Sequence, residues 1–137
     1  MVATRNAQLR ILVADDEPMI RRLLQETLRL AGHTVDASES ARDALRAWHE
    51  GAYDLLILDW VMGHQSGVEV AARIRDHGDG VPIIIMSGAS AGTDRLEGMG
   101  YALRFEVLRK PFGVTDLREA INRALRRDPD LPGTATS

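Results

Sequence analysis

The sequence predicts an α/β protein in which helices cover both faces of a five-stranded parallel sheet. Five short apolar segments alternate along the chain with segments of helical periodicity, which is the order expected of repeated βα units. Three of these segments are apolar without interruption, as in strands that are buried on both faces of a parallel sheet. They are Ile11–Ala14, Leu55–Leu58 and Ile83–Met86.

The other two strands, Thr34–Ala37 and Phe105–Leu108, alternate apolar with polar residues. This alternation indicates half-exposed strands at the two edges of the sheet. With right-handed crossovers, the strand order becomes 2-1-3-4-5, the doubly wound, flavodoxin-like (βα)5 arrangement. In such sheets, ligands bind beyond the carboxyl ends of the strands where the winding reverses, which here is between strands 1 and 3.

Helical periodicity fills the intervals between the strands and the stretch after the last strand. Pro18 suits the first turn of helix 1, Gly32 its end, and Ser38 or Ser40 the N-cap of helix 2. The fourth helix, from Ala89 to Leu103, has the weakest pattern because each glycine inside a helix costs roughly 1 kcal/mol relative to alanine. Its glycines are Gly92, Gly98 and Gly100.

Length and composition indicate one globular domain. The 137 residues carry a formal net charge of −3 and no cysteine, which argues against a nucleic-acid-binding surface and excludes disulfides and cysteine metal sites. We expect a domain at 9–127, a short extension at 1–8, and a flexible tail or linker at 128–137. No segment resembles a signal peptide or a membrane span, so a cytoplasmic protein is expected.

A single lysine stands out among the cations. The chain has 16 arginines, but its only lysine is Lys110. Lysine is a compact, mobile point charge, whereas arginine presents a rigid planar fork. A site that needs one ammonium group beside an anion would explain this exception.

The predicted sheet gathers polar residues at one edge. Asp15 and Asp16 follow strand 1, Asp59 ends strand 3, Ser87 ends strand 4, and Lys110 ends strand 5. Carboxylates that converge repel one another and need a cation. Hard oxygen ligands favour Mg²⁺, which is commonly held by one or two carboxylates, waters and a phosphate. The edge therefore predicts a site for Mg²⁺ and a phosphoryl group.

Taken in order along the chain, these residues resemble the response-regulator receiver domains of two-component signalling, over nearly the whole span from Leu9 to Arg127. Each motif is common by itself, but five of them at successive structural positions are specific. The motifs are DDEP at 15–18, LLILDW at 55–60, Gly67, MSG at 86–88 and RKPF at 109–112.

The resemblance implies roles at the metal. Asp16 and Asp59 would ligate Mg²⁺ directly, and the backbone carbonyl of Val61 would be a further ligand. Asp15 would act mainly through water.

The resemblance also implies roles at the phosphoryl group. Asp59 would accept it from a phosphohistidine of a histidine kinase or a histidine phosphotransfer protein. Ser87 and Lys110 would bind the phosphoryl oxygens, and the Lys110–Pro111 bond would be cis. The domain would then change its contacts with an output protein whose identity stays open, or form a dimer on phosphorylation. It would assist only its own phosphorylation and dephosphorylation, and would not be an enzyme in the usual sense.

The sequence departs from the family pattern at two positions. Gly63 stands where proline is usual, four residues after the expected phosphoacceptor. Val107 stands where an aromatic residue is usual, and Phe105 lies about 7 Å further up the strand at ~3.3 Å per residue. The closest resemblance in motif detail is to receivers of hybrid histidine kinases or to single-domain regulators.

Two other functions remain open from the residues alone. A receiver-like module that is never phosphorylated would be expected to have lost an acid, the serine or the lysine, and none is lost. A metal-dependent phosphohydrolase would be expected to carry D-x-D after its first strand and a cap domain, but here the acids are adjacent. The scattered histidines show no metal-binding spacing and are expected at the surface; they are His33, His49, His64 and His77.

Overall fold

Five parallel strands form the central sheet of this computed structural model, which describes residues 8–88 and 93–127, except for the side chain of Thr93. Numbered along the chain within this sheet, their order is β2-β1-β3-β4-β5, and all four neighbouring pairs are parallel. The predicted order and the reversal between β1 and β3 are confirmed. The strands are β1 Arg10–Ala14, β2 Thr34–Ser38, β3 Leu55–Asp59, β4 Ile83–Ser87 and β5 Glu106–Arg109.

The strand ends differ from the predicted ones by one residue. The predicted fifth strand began at Phe105, but this residue is buried ahead of the strand and its N–H donates to the Gly100 carbonyl. Strands β2 and β5 nevertheless lie at the two edges of the sheet, as the alternating pattern predicted.

Five helices cover the sheet. Side chains alternate along a strand, so Leu12 packs on one face and Ile11 and Val13 on the other. The first of these faces is covered by α2, α3 and α4, and the second by α1 and α5. The helices are α1 Pro18–Leu30, α2 Ala41–Glu50, α3 Gly67–Asp76, α4 Thr93–Leu103 and α5 Val114–Arg126.

Helix caps are set by short polar side chains. The Ser40 hydroxyl accepts a hydrogen bond from the Asp43 N–H at 3.1 Å and caps α2, whereas Ser38 still belongs to β2. Ser66 caps α3 in a reciprocal pair with Glu69. These bonds satisfy amide groups that a helix leaves unpaired at its start.

Gly100 allows α4 to approach Phe105 closely, although glycine weakens the helix. A Cβ atom at this position would lie 2.9 Å from both the Phe105 ring and the Phe105 carbonyl oxygen. The helix therefore needs glycine there to pack on Phe105. The predicted start of this helix at Ala89 and the glycine at Gly92 lie outside the described residues.

Two apolar residues of α5, one near each end of the helix, are exposed. Val114 is 57% exposed and Leu125 is 42% exposed. Both line a groove of about 360 Å³ that also touches Leu28 and His33 on the α1 side. His33 is half-buried rather than fully at the surface, and this burial lowers its pKa.

Most of the expected extension, residues 1–7, and the expected tail, residues 128–137, also lie outside the described residues. Over the part of the chain that is described, no helix combines the length and the apolar character needed to cross a membrane.

Candidate functional site

The carboxyl ends of β1, β3, β4 and β5 bring the predicted polar residues together. One carboxylate oxygen from each of Asp15, Asp16 and Asp59 lies within 4.8 Å of the other two. Asp15, Asp59 and Ser87 are the buried polar residues of the described chain. Buried polar groups of this kind are expected to be paired.

Asp15 is held at every polar atom. Its Oδ1 accepts a hydrogen bond from the Glu17 N–H at 2.9 Å, and its Oδ2 accepts one from the Lys110 ammonium at 3.0 Å. The Asp15 carbonyl accepts from the Arg21 guanidinium at 2.8 Å, and its N–H donates to the Ser38 carbonyl. With both carboxylate oxygens engaged, Asp15 is less available for direct ligation than its neighbour.

Lys110 bridges two carboxylates. Its Nζ lies 3.0 Å from Asp15 and 3.3 Å from Asp59. Burial by itself would lower the pKa of Lys110, but the hydrogen bond to Asp15 and the charges of Asp59 and Asp15 outweigh it and raise the pKa. The lysine backbone N–H donates to the Ser87 carbonyl at 2.8 Å, which ties the ends of β4 and β5 together. The Lys110–Pro111 bond is cis, as predicted.

Asp59 lies in a tight backbone setting. A Cβ atom at Gly67 would come within 2.4 Å of the Asp59 carbonyl oxygen, so the start of α3 needs glycine to approach β3. The Trp60 N–H donates to the Met86 carbonyl, and its own carbonyl accepts from the Gly67 N–H. Burial, with a contribution from the Asp15 charge, raises the pKa of Asp59 to about 6 against the opposing effect of Lys110.

Asp16 is the exposed member of the cluster. Its Oδ2 accepts a hydrogen bond from the Gly63 N–H at 3.2 Å. Gly63 lies in a hairpin that follows β3, in which Val61–Met62 pairs antiparallel with Gln65–Ser66. We call this segment, Val61–Ser66, the Gly63 hairpin.

The acidic cluster fits a magnesium ion. At Mg²⁺–oxygen distances of about 2.0–2.1 Å, two ligands on opposite sides of the ion lie about 4.2 Å apart. The three carboxylate oxygens, all within 4.8 Å of one another, lie close to the span of one such ion. Carboxylates are also the hard oxygen donors that Mg²⁺ takes.

Sequence reasoning missed the groups that hold the acids in position. Arg21 binds the Asp15 carbonyl from α1, but nothing distinguishes it in sequence from the other arginines. The Gly63 N–H is a backbone group, and its partner lies 47 positions away. The acids themselves were predictable because they directly follow strands.

This fold and site define a class of protein. Residues 11–122 match the family described as "Response regulator receiver domain", and the chain belongs to this family. It is a receiver domain of the two-component response regulators.

Particular relatives support the same conclusion. The transcriptional regulatory protein TcrA of Mycobacterium tuberculosis is 35% identical over 125 residues, which are 91% of this chain and 49% of TcrA. The response regulator MprA of Mycolicibacterium vanbaalenii is 30% identical over 129 residues, which are 94% of this chain and 55% of MprA. The chain thus spans about half the length of the curated relatives that it matches.

Solved structures share the fold. The response regulator TrrA of Thermotoga maritima, solved in complex with Mg(2+)-BeF, is 39% identical with a TM-score of 0.75, covering 85% of this chain and 98% of TrrA. A response regulator receiver domain protein of Clostridium thermocellum is 32% identical with a TM-score of 0.78, covering 86% of this chain and 94% of that one.

Proposed function

We propose that this receiver domain accepts a phosphoryl group on Asp59 and then changes its contacts with other proteins. The observation that carries the proposal is the position of the Lys110 ammonium between Asp15 and Asp59, 3.3 Å from the Asp59 carboxylate. A buried carboxylate with a cation beside it and two more acids next to it is suited to gaining and neutralising an anionic group.

The transfer is a substitution at phosphorus. A new bond forms between phosphorus and an Asp59 carboxylate oxygen while the bond from phosphorus to the donor's histidine nitrogen breaks. The nitrogen keeps the electron pair of the broken bond. Lys110 and the Ser87 hydroxyl bind the phosphoryl oxygens, and positioning with charge neutralisation is most of what such a transfer requires.

Asp16 and Asp59 would hold Mg²⁺ directly, with the Val61 backbone carbonyl as a further ligand and Asp15 acting through water. The full engagement of Asp15 by Glu17 and Lys110 supports this division. When bound, the ion supplies positive charge that offsets the carboxylates and the phosphoryl group.

The proposed donor is a histidine kinase or a histidine phosphotransfer protein, and the proposed compartment is the cytoplasm. The output is a change in protein contacts, with a phosphorylation-dependent dimer as one form of it. The net charge of −3 does not favour nucleic-acid binding by this domain. A phosphohydrolase is less well supported, because adjacent acids stand where D-x-D would be expected.

A phosphoryl mimic tests the proposal. In the presence of Mg²⁺, we expect beryllium fluoride to bind the parent protein and to give a bound resonance in ¹⁹F NMR spectra. Asp59→Asn should lose this resonance, because the mimic bonds to an ionised carboxylate.

Asp54→Asn is the matched control for this experiment. Asp54 lies just before the opposite end of β3, where its carboxylate accepts from the Arg10 N–H at 2.8 Å. This variant should bind the mimic as the parent does. Equal binding of the mimic by Asp59→Asn would refute the assignment of Asp59.

A further inference from the structure

Gly63 has the backbone conformation of a tight hairpin turn. Val61 pairs with Ser66 and Met62 with Gln65, so Gly63 and His64 are the two central residues of the turn. Gly63 has φ +62°, and among the described residues other than glycine only Arg104 has positive φ. Positive φ at the first central position alone is the pattern of a type II′ turn, which favours glycine there.

The Gly63 N–H is free to bind outside its own turn. The hydrogen bond that closes a two-residue turn joins the residues on either side, here Met62 and Gln65. The amide of the first central residue takes no part in it. In this chain that amide donates to the Asp16 carboxylate at 3.2 Å, across 47 positions of sequence.

Asp16 needs such a partner more than Asp15 does. Asp15 is completely buried and has both carboxylate oxygens bound, whereas Asp16 is exposed. An exposed side chain loses rotational freedom when it binds a ligand, and orientation in advance reduces this loss.

We propose that the Gly63 N–H is a positioning group that orients the Asp16 carboxylate toward the metal site, and that it thereby links the Gly63 hairpin to metal binding. The proposal rests on the proposed function of Asp16 as a Mg²⁺ ligand. An ionised carboxylate offers about four lone-pair positions on its two oxygens. One of them binds the amide and the others remain for the metal, so the carboxylate can hold both partners at once.

Proline at this position would remove the link in two ways. It has no N–H, and its ring fixes φ near −65°, far from the +62° observed. The glycine at this position, where receivers usually have proline, thus gives this chain a contact that a proline-bearing domain lacks.

The first test needs no metal. Exchange of the Gly63 amide hydrogen with solvent is measured by NMR in the parent and in Asp16→Ala, with a chelator present. Loss of the acceptor should speed this exchange by about threefold or more. The amide of Gly78, which donates to the Arg75 carbonyl at 2.9 Å, is the internal control and should not change. Unchanged exchange at Gly63 would overturn the proposal.

The second test measures Mg²⁺ affinity by calorimetry. Gly63→Pro should bind Mg²⁺ about fivefold to tenfold more weakly than the parent, which is the size of effect expected from one hydrogen bond. Gly63→Asn keeps the N–H, and a Cβ atom there meets nothing within 4 Å. Positive φ strains any residue other than glycine, but asparagine is among those that adopt it most often. This variant should stay within about twofold of the parent.

The outcomes distinguish a failure of the positioning role of Gly63 from a failure of the metal site itself. Parent affinity in Gly63→Pro, or equally weak binding in Gly63→Asn, would overturn the positioning role while leaving the metal site in place. If the parent itself binds no Mg²⁺, the proposed metal function fails. If Gly63→Pro does not fold, the exchange rate of the Gly63 amide in the parent and in Asp16→Ala still tests whether the hydrogen bond forms.

Discussion

Lys110 is the residue on which the charge balance of the site depends. Its ammonium contacts Asp15 and Asp59 at once, and its side chain is only 17% exposed. A guanidinium is larger and binds as a planar fork.

We therefore predict that Lys110→Arg is not conservative. The variant should still bind Mg²⁺, because the carboxylates remain, but beryllium fluoride should no longer change its hydrogen-exchange pattern. The measurement is exchange by mass spectrometry with and without the mimic. A parent-like response would mean that the lysine is not specifically required.

Asp59 should make stability depend on pH. Its pKa is raised from the ordinary value of 3.8 to about 6, so the folded protein binds this proton more tightly than the unfolded chain does. The free energy of unfolding therefore falls as the pH rises from about 4 through 6. Asp59→Asn should be more stable than the parent by about 1–3 kcal/mol at pH 7.5, and the difference should shrink by pH 4.

Urea unfolding at the two pH values, in the presence of a chelator, measures this difference. Asp54→Asn provides the comparison for an exposed carboxylate just before the start of β3. A difference between parent and Asp59→Asn that does not vary with pH would show that Asp59 is not perturbed in this way.

The chemistry-bearing residues could be predicted from sequence, but their supports could not. Asp15, Asp59 and Ser87 end or follow apolar strands, and parallel strands bring such ends to one edge. The Gly63 N–H and the Arg21 guanidinium act across long separations through a backbone atom and one of many arginines. No residue pattern marks such partners.

Helix α3 carries an arginine that joins two loops at the other end of the sheet. Arg75 donates to the carbonyls of Asp79 and Val81 before β4, and to those of Leu103 and Arg104 at the end of α4, at 2.8 to 2.9 Å. Burial, with the charge of Arg104, lowers the pKa of Arg75 to about 10. Four carbonyls would lose their donor if this side chain were shortened to an apolar one.

Arg75→Met should accordingly lower the free energy of unfolding by about 2–4 kcal/mol, the range for leaving buried polar groups unpaired. Arg73→Met is the control, because Arg73 lies exposed on the same helix. Denaturant unfolding of both variants measures the difference. Equal stabilities would show that the two loops do not depend on Arg75.

The sequence predicted the positions of the helices better than it predicted where they begin and how their residues pack. The apolar period located α1, α2 and α5, but Ser40 rather than Ser38 caps α2 because β2 continues through Ser38. The glycines of α4 weakened its pattern, and the structure gives Gly100 a packing reason that depends on Phe105, a residue beyond the helix. The apolar periodicity of one helix cannot predict contacts of this kind, because they depend on residues of another segment.

The strand order could be predicted from general rules. Right-handed crossovers and the assignment of two edge strands leave few possible orders for five parallel strands. How the domain transmits its state depends on contacts that the rules do not determine. Phe105 is fully packed beneath Gly100, and Val107 is half-buried against the same core. The pair formed by Arg109 and Glu97 at 3.4 Å joins β5 to α4 just before Lys110.

Mapping the phosphorylated residue tests the central claim most directly. The protein is incubated with Mg²⁺ and a phosphohistidine donor or acetyl phosphate, and intact mass and peptide mapping are recorded for the parent and for Asp59→Asn. The account predicts one added phosphoryl group in the parent, labile in base and located on Asp59, and none in the variant. A phosphoryl group retained by Asp59→Asn, or mapped to another residue of the parent, would contradict it.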